Sequence, residues 1–214
     1  MMAVNAPPLS DTSRAGALGQ HIAAFDDVLA AYMTGCFGIG WRTMCHQSAK
    51  IAVAALKETV GGEVRIRRME LVALMADGTA FVHIGDPGDP AEPGKIPLHF
   101  GVQGGNALYD PTFGQLCQSR TLLDLPDEPF FFSENFFSSD ALADAQGFRW
   151  SAQQRPTGIL RVAYKVQPAP IPVHIAENLM TDAVAALHAK AIVAAWTSTL
   201  RCTPHVPSSW GGHE

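Results

Sequence analysis

The order of the sequence patterns predicts an α+β domain, with helices first, an antiparallel sheet next and helices again. Three observations carry this. Apolar residues recur at helical spacing near the start, the apolar period changes to two after Gly61-Gly62, and a long helical pattern returns toward the end.

Taken in order, residues 1–16 form a polar, Pro-containing tail. Leu18, Ile22, Phe25, Leu29 and Tyr32 then mark one face of an amphipathic helix that GCFGIG ends. A second helix is predicted over residues 45–60, with Ala49, Ala52, Val53, Leu56 and Val60 on its inner face and Gly61-Gly62 as its stop. VRIRRMELVALMA and TAFVHIG read as two strands around a turn at Asp77-Gly78. DPGDPAEPGK, residues 86–95, is a Pro/Gly/Asp loop.

HFGVQGGNALYDP, residues 99–111, reads as a hairpin turning on Gly104-Gly105, because glycine takes positive φ at little steric cost. That turn pairs Gln103 with Asn106, Phe100 with Tyr109 and His99 with Asp110. Directly opposed side chains share a face with Cβ atoms about 5 Å apart, within reach of an imidazole–carboxylate hydrogen bond. Leu98, Phe100, Val102, Ala107 and Tyr109 fall on the other face and are expected to pack on the core, leaving the His/Asp side to look into a cleft. A bland cross-strand polar pair at a sheet surface explains two such residues equally well. A third reactive group changes the balance. Beyond the hairpin lie a Pro- and Phe-rich stretch, LPDEPFFFSENFF, a short helix over residues 140–146, a strand GILRVAYKVQ and a long helix over residues 176–200. A second tail, TPHVPSSWGGHE, follows Cys202, so residues 17–202 are expected to form a single domain.

Composition narrows the function classes. The chain has 214 residues, long enough for a substantial core, with 16% charged and 47% hydrophobic residues. No run approaches the about 20 apolar residues of a membrane span. No basic segment followed by an apolar stretch marks a secretory signal, so a cytoplasmic location is expected. The net charge of −5 comes without a Lys/Arg stripe, and the densest basic group, Arg65, Arg67 and Arg68, interrupts a strand pattern, which argues against nucleic acid as a partner. Cys36, Cys45, Cys117 and Cys202 show no C-x-x-C spacing, so reduced thiols are expected.

Among these thiols Cys45 stands apart, because GWRTMCHQSAK places it where an irregular segment enters a helix. The positive end of the helix dipole and the unpaired first-turn N–H groups favour a thiolate there and suit a developing oxyanion. The alternative for any cysteine is a small buried hydrophobe, which suits Cys36 and Cys117 better. His46 adjoins Cys45 but points about 100° away around the helix, making it a poor base for that thiol.

Cys45, Ala49, Leu56 and Gly61 match a helix of the form C-x-x-x-A-x-x-x-x-x-x-L-x-x-x-x-G, and the strand residue His99 and the strand-ending Asp110-Pro111-Thr112 follow it in order. Over about residues 41–116 the chain thus resembles the transglutaminase-like superfamily. The resemblance implies a papain-like core, a Cys-bearing helix packed on an antiparallel sheet, with N- and C-terminal helices added. It implies a Cys45–His99–Asp110 triad acting on an amide or acyl substrate, with protein, peptide or small-molecule partners and neither cofactor nor metal. Two positions depart from the common pattern: Thr43 stands two before the Cys, and Gly101 two after the His, with Phe100 one place early. The approach G-W-R-T-M-C also lacks the R-G-G-x-C of arylamine N-acetyltransferases, which argues against acetyl-CoA chemistry.

In such a triad Asp110 orients His99, His99 keeps Cys45 as thiolate, and Cys45 attacks a carbonyl to form a thioester. Water or an amine then decides between hydrolysis and acyl transfer. A cysteine peptidase and a non-catalytic interaction module on the same fold are the alternatives. Trp41 and Met44 are candidates for the oxyanion side or wall of the site, Trp41 through its indole N–H, although packing beside the helix entry is the better reading of Trp41. Residues 86–95 and 130–137 are candidate outer walls, although core and surface packing around a proline-rich crossing is the better reading of the Phe run. His83, Asp86, Asp89 and His99 are a poor metal set, because the Asp-Pro and Pro-Gly steps already explain those aspartates as turn formers.

Overall fold

The structure is a computed structural model, and the residues it describes are 11–59, 63–75, 81–85, 99–105, 107–113, 130–132, 149–155, 158–167 and 179–202. Three α-helices, α1 (Asp11–Phe37), α2 (Cys45–Thr59) and α3 (Asp182–Cys202), accompany a seven-stranded sheet among these residues. Its strands are β1 (Val64–Met75), β2 (Phe81–Ile84), β3 (His99–Gly104), β4 (Ala107–Asp110), β5 (Phe130–Phe132), β6 (Arg149–Arg155) and β7 (Gly158–Val166). Every strand pair is antiparallel, so the α+β class holds.

The sheet order is β5-β4-β3-β1-β7-β6, and β2 also pairs with β1. β7 occupies one edge of β1 over Met69–Met75. On the other edge β3 pairs with Val64–Met69 and β2 with Leu71–Leu74, so the partner strand changes over at Glu70. β3 therefore begins, with His99, where β2 has ended.

The helices cover one face of this sheet. Phe100, Val102, Ala107 and Tyr109 form one core cluster with Phe25 and Leu29 of α1, Ala49, Ala52 and Leu56 of α2, and Ile192 and Trp196 of α3. α2 lies at the centre and touches both the sheet and α3. This explains why Ser48, Ile51 and Ala55 are buried beside the predicted inner-face residues. A helix packed on two sides must be apolar around most of its circumference.

Several expectations change. α1 starts at Asp11, so residues 11–16 belong to a helix instead of a tail. Cys36 is exposed near the end of α1 and is no buried hydrophobe. The Phe-rich run supplies β5, an edge strand on β4, as the β propensity of phenylalanine allows. β6, RWSAQQR, carries no clear period-two apolar signal and is held by β7. The C-terminal helix starts at Asp182, later than predicted. Residues 86–95, the proposed helix over 140–146, Cys117, and residues 1–10 and 203–214 lie outside the described residues.

The hairpin register also changes. Gly104 pairs with Ala107, Gln103 with Leu108 and Val102 with Tyr109. The turn therefore falls between Gly104 and Ala107, with Gly105 at φ 56°, and His99 and Asp110 are diagonal instead of directly opposed. A slip of two residues keeps every side chain on its face, whereas a slip of one would have inverted the hairpin.

Candidate active site

α2 begins at Cys45 for local reasons. A 3-10 turn, Ile39–Thr43, brings the chain to Met44, whose N–H donates to the Trp41 carbonyl at 2.8 Å. The first intrahelical bond runs from Ser48 N–H to Met44 O at 2.9 Å. The N–H groups of Cys45, His46 and Gln47 thus sit in the first turn, where a helix offers them no carbonyl. The Cys45 side chain is half-buried at this end.

His99 and Asp110 meet across the hairpin. The His99 Nε2 donates to Asp110 Oδ2 at 2.7 Å, and both side chains are fully buried. The predicted open cleft on this face is therefore not observed at these two residues. Extending the register places Gly101 opposite Asp110, with His99 two residues further along β3. A Cβ there would stand 2.2 Å from Met69 Cε. The absence of a side chain at Gly101 thus leaves the space that Met69 fills.

Asp110 is saturated with donors. Its Oδ1 accepts from Thr112 N–H at 3.0 Å and Thr112 Oγ1 at 3.2 Å, and its Oδ2 accepts from His99 and from Tyr164 O–H at 2.8 Å. Four donors match the about four lone-pair sites of a carboxylate. The Asp-Pro-Thr segment therefore has a mechanical role: its threonine clamps the carboxylate from the chain side. Tyr164 was missed by sequence reasoning. The available signal was a tyrosine on the otherwise apolar alternation Leu160, Val162, Tyr164, Val166, since a buried phenol needs a partner.

The third group on His99 is Cys45. Burial is the largest influence on this ring and pushes its pKa down. The Asp110 charge and hydrogen bond, then the hydrogen bond and charge of Cys45, outweigh burial and push the pKa up to about 10. Nε2 faces Asp110, so Nδ1 is the nitrogen left for the thiol. At neutral pH this arrangement holds an imidazolium between a carboxylate and a cysteine at a helix start.

The neighbouring His46 behaves oppositely. It packs edge-on against Phe100, with ring centroids 5.0 Å apart, and its Nδ1 is unpartnered. Burial, followed by the Lys50 charge, lowers its pKa to about 4. It is a neutral core residue and no base for Cys45.

Trp41 and Met44 flank the entry to α2, and Trp41 packs there. Trp41 is buried and its Nε1 donates to Thr34 Oγ1 at 3.1 Å, so the indole N–H serves α1. Met44 packs against the core cluster and its N–H is engaged by Trp41. His83 lies in β2, while Asp86 and Asp89 fall outside the described residues. Among the described residues no group of three His, Cys, Asp or Glu is arranged to hold a metal ion. No described helix is long and apolar enough to cross a membrane.

Compared with known proteins, the chain matches no family model, no curated protein and no solved structure.

Proposed function

We propose that the chain is a cysteine-dependent enzyme that forms a thioester with an amide or acyl substrate and passes the acyl group to an amine or to water, on a papain-like core of the transglutaminase-like kind. The observation that carries this reading is the single imidazole shared by Asp110 and Cys45, with Cys45 opening a helix. The chain order also supports it: the Cys helix comes first, then the His strand, then the strand that ends in Asp-Pro-Thr.

The chemistry follows from the roles. The Cys45 thiolate attacks the carbonyl carbon, forming the S–C bond while the carbonyl electrons move to oxygen. First-turn N–H groups of α2 face the developing oxyanion. As the tetrahedral intermediate collapses, the C–N bond breaks and the His99 imidazolium gives its proton to the leaving amine. Water or an incoming amine, deprotonated by the now neutral His99, then attacks the thioester and releases Cys45 as thiolate.

A second reading draws on the full burial of His99 and Asp110: an interaction module in which the pair is only a buried structural contact. The deciding experiment incubates the chain with glutamine-containing peptides, short peptides and acyl thioesters, each with and without a primary amine. A Cys45 adduct or turnover with one class, absent in Cys45→Ala, is expected. The product names the branch: incorporated amine means transfer, released ammonia means deamidation, and new peptide termini mean proteolysis. Neither adduct nor turnover across the panel gives the chain to the second reading.

A further inference from the structure

Tyr164 belongs to β7, and in the sheet order β3 and β1 lie between β7 and the β4 strand that carries Asp110. Three strand spacings in a flat sheet separate such residues by about 14 Å. The phenol nevertheless donates to Asp110 Oδ2 at 2.8 Å, so the sheet curls toward this face and the tyrosine spans the curl. On the way its ring lies nearly parallel to the His99 imidazole, at 25° and 6.4 Å between centroids.

The oxygen it reaches is the significant detail. Thr112 takes Oδ1 with two donors, whereas the phenol shares Oδ2 with His99 Nε2. With Oδ1 filled by Thr112, the phenol takes the remaining acceptor site on Oδ2, the oxygen that also holds the imidazole. We propose that Tyr164 is a positioning residue of the Cys45–His99–Asp110 site, locking the carboxylate plane and drawing off part of the charge that Oδ2 presents to His99. Its consequence for turnover rests on the catalytic reading of Cys45. Its effect on His99 does not.

Among the described residues, the titratable groups facing His99 are Cys45 from α2, Asp110 from β4 and Tyr164 from β7. β1 presents Met69 directly across from it, and Gly85, at the end of β2, lies beside its Cβ. Burial and the Asp110 charge hold the phenol well above its ordinary pKa, so it remains a neutral donor across the range in which His99 titrates. Removing the donor leaves the whole Oδ2 charge for the imidazolium, which then keeps its proton to higher pH. It also frees the carboxylate to rotate, which misaligns the ring with the thiol.

The test follows the His99 ring by nitrogen NMR on the intact chain labelled at histidine, in wild type, Tyr164→Phe and Thr112→Val. In Tyr164→Phe the His99 midpoint is expected to rise by about one pH unit, the size of one hydrogen bond to a charged group. Alkylation of Cys45 at pH 7 should slow several-fold. Thr112→Val, which removes a donor from the other oxygen, should move the midpoint less. An unmoved or lowered midpoint in Tyr164→Phe, or equal shifts in the two variants, overturns the proposal. Wild-type alkylation spread evenly over the four cysteines would instead overturn the catalytic reading and leave the His99 titration to be judged by itself.

Discussion

The two faces of the sheet carry the two histidines nearest Cys45, and they have opposite chemistry. His46 meets the helix-covered face, where Phe100 is its neighbour and the Lys50 charge adds to the effect of burial. His99 stands on the other face, where Asp110, followed by Cys45, outweighs the desolvation of a fully buried ring. Burial lowers both rings, and Asp110, followed by Cys45, reverses the outcome for His99. Adjacency in sequence thus says little about chemical partnership. The thiol's neighbour along the helix is a neutral packing group, and its partner comes from a strand 54 residues later.

Removing that carboxylate breaks the comparison most severely. Asp110→Ala should cost about 3–5 kcal/mol, because it strands a buried partner, and urea unfolding measures it. The pH dependence should change with it. A His99 pKa raised from 6.5 to about 10 contributes stability that is fully present below pH 6.5 and lost as pH rises through about 10. Asp110→Ala should abolish this alkaline limb and make His99 titrate low, as His46 does. A limb that persists in the variant would assign it to another group.

A smaller loss is expected from Gly85→Ala. Gly85 has φ 82°, and a Cβ there would lie 2.4 Å from the Met69 carbonyl oxygen and 3.0 Å from His99 Cβ. Strain and overpacking should together cost about 2–3 kcal/mol. Because the clash presses on His99, Cys45 alkylation should slow as well. A variant with wild-type melting temperature and reactivity would refute this close approach.

The His46 side of the comparison is sharpened by His46→Phe. A pKa lowered from 6.5 to about 4 means the folded chain binds fewer protons there, so its contribution is lost as pH falls from 6.5 through 4. The variant should resist acid better than wild type while leaving the alkaline limb and Cys45 reactivity unchanged. Equal acid sensitivity in the two proteins would overturn the neutral-core assignment.

The smallest effect is expected from Trp41→Phe, which removes the hydrogen bond to Thr34. About 1 kcal/mol of stability should be lost with no change in the pH profile of Cys45 alkylation. A large loss of turnover at constant stability would return the indole to the oxyanion side.

Much was legible in the residues themselves. The change of apolar period separated helices from sheet, the irregular GWRTM segment located the start of α2 at Cys45, and the odd spacing of His99 and Asp110 put them on one face of a hairpin. That face assignment survived a wrong register because side-chain direction repeats every two residues. The register itself depended on which of three consecutive residues, Gly104, Gly105 or Asn106, made the turn, and local propensity does not separate them. Burial of the His/Asp pair, the exposure of Cys36 and the strand made by RWSAQQR all required knowing which elements lie above and beside them.

The sequence by itself determined the class of fold, the entry of Cys45 into its helix and the shared face of His99 and Asp110, because these depend on spacing along a few adjacent residues. Only the tertiary structure decided that Cys45 lies close enough to His99 to act on its ring, that the Trp41 indole is turned toward α1, and that Tyr164 completes the donors around Asp110. The physical reason is the reach of each contact. Periodicity reports which way a side chain points from its own backbone, but a phenol that crosses two intervening strands finds its carboxylate through the curl of the whole sheet.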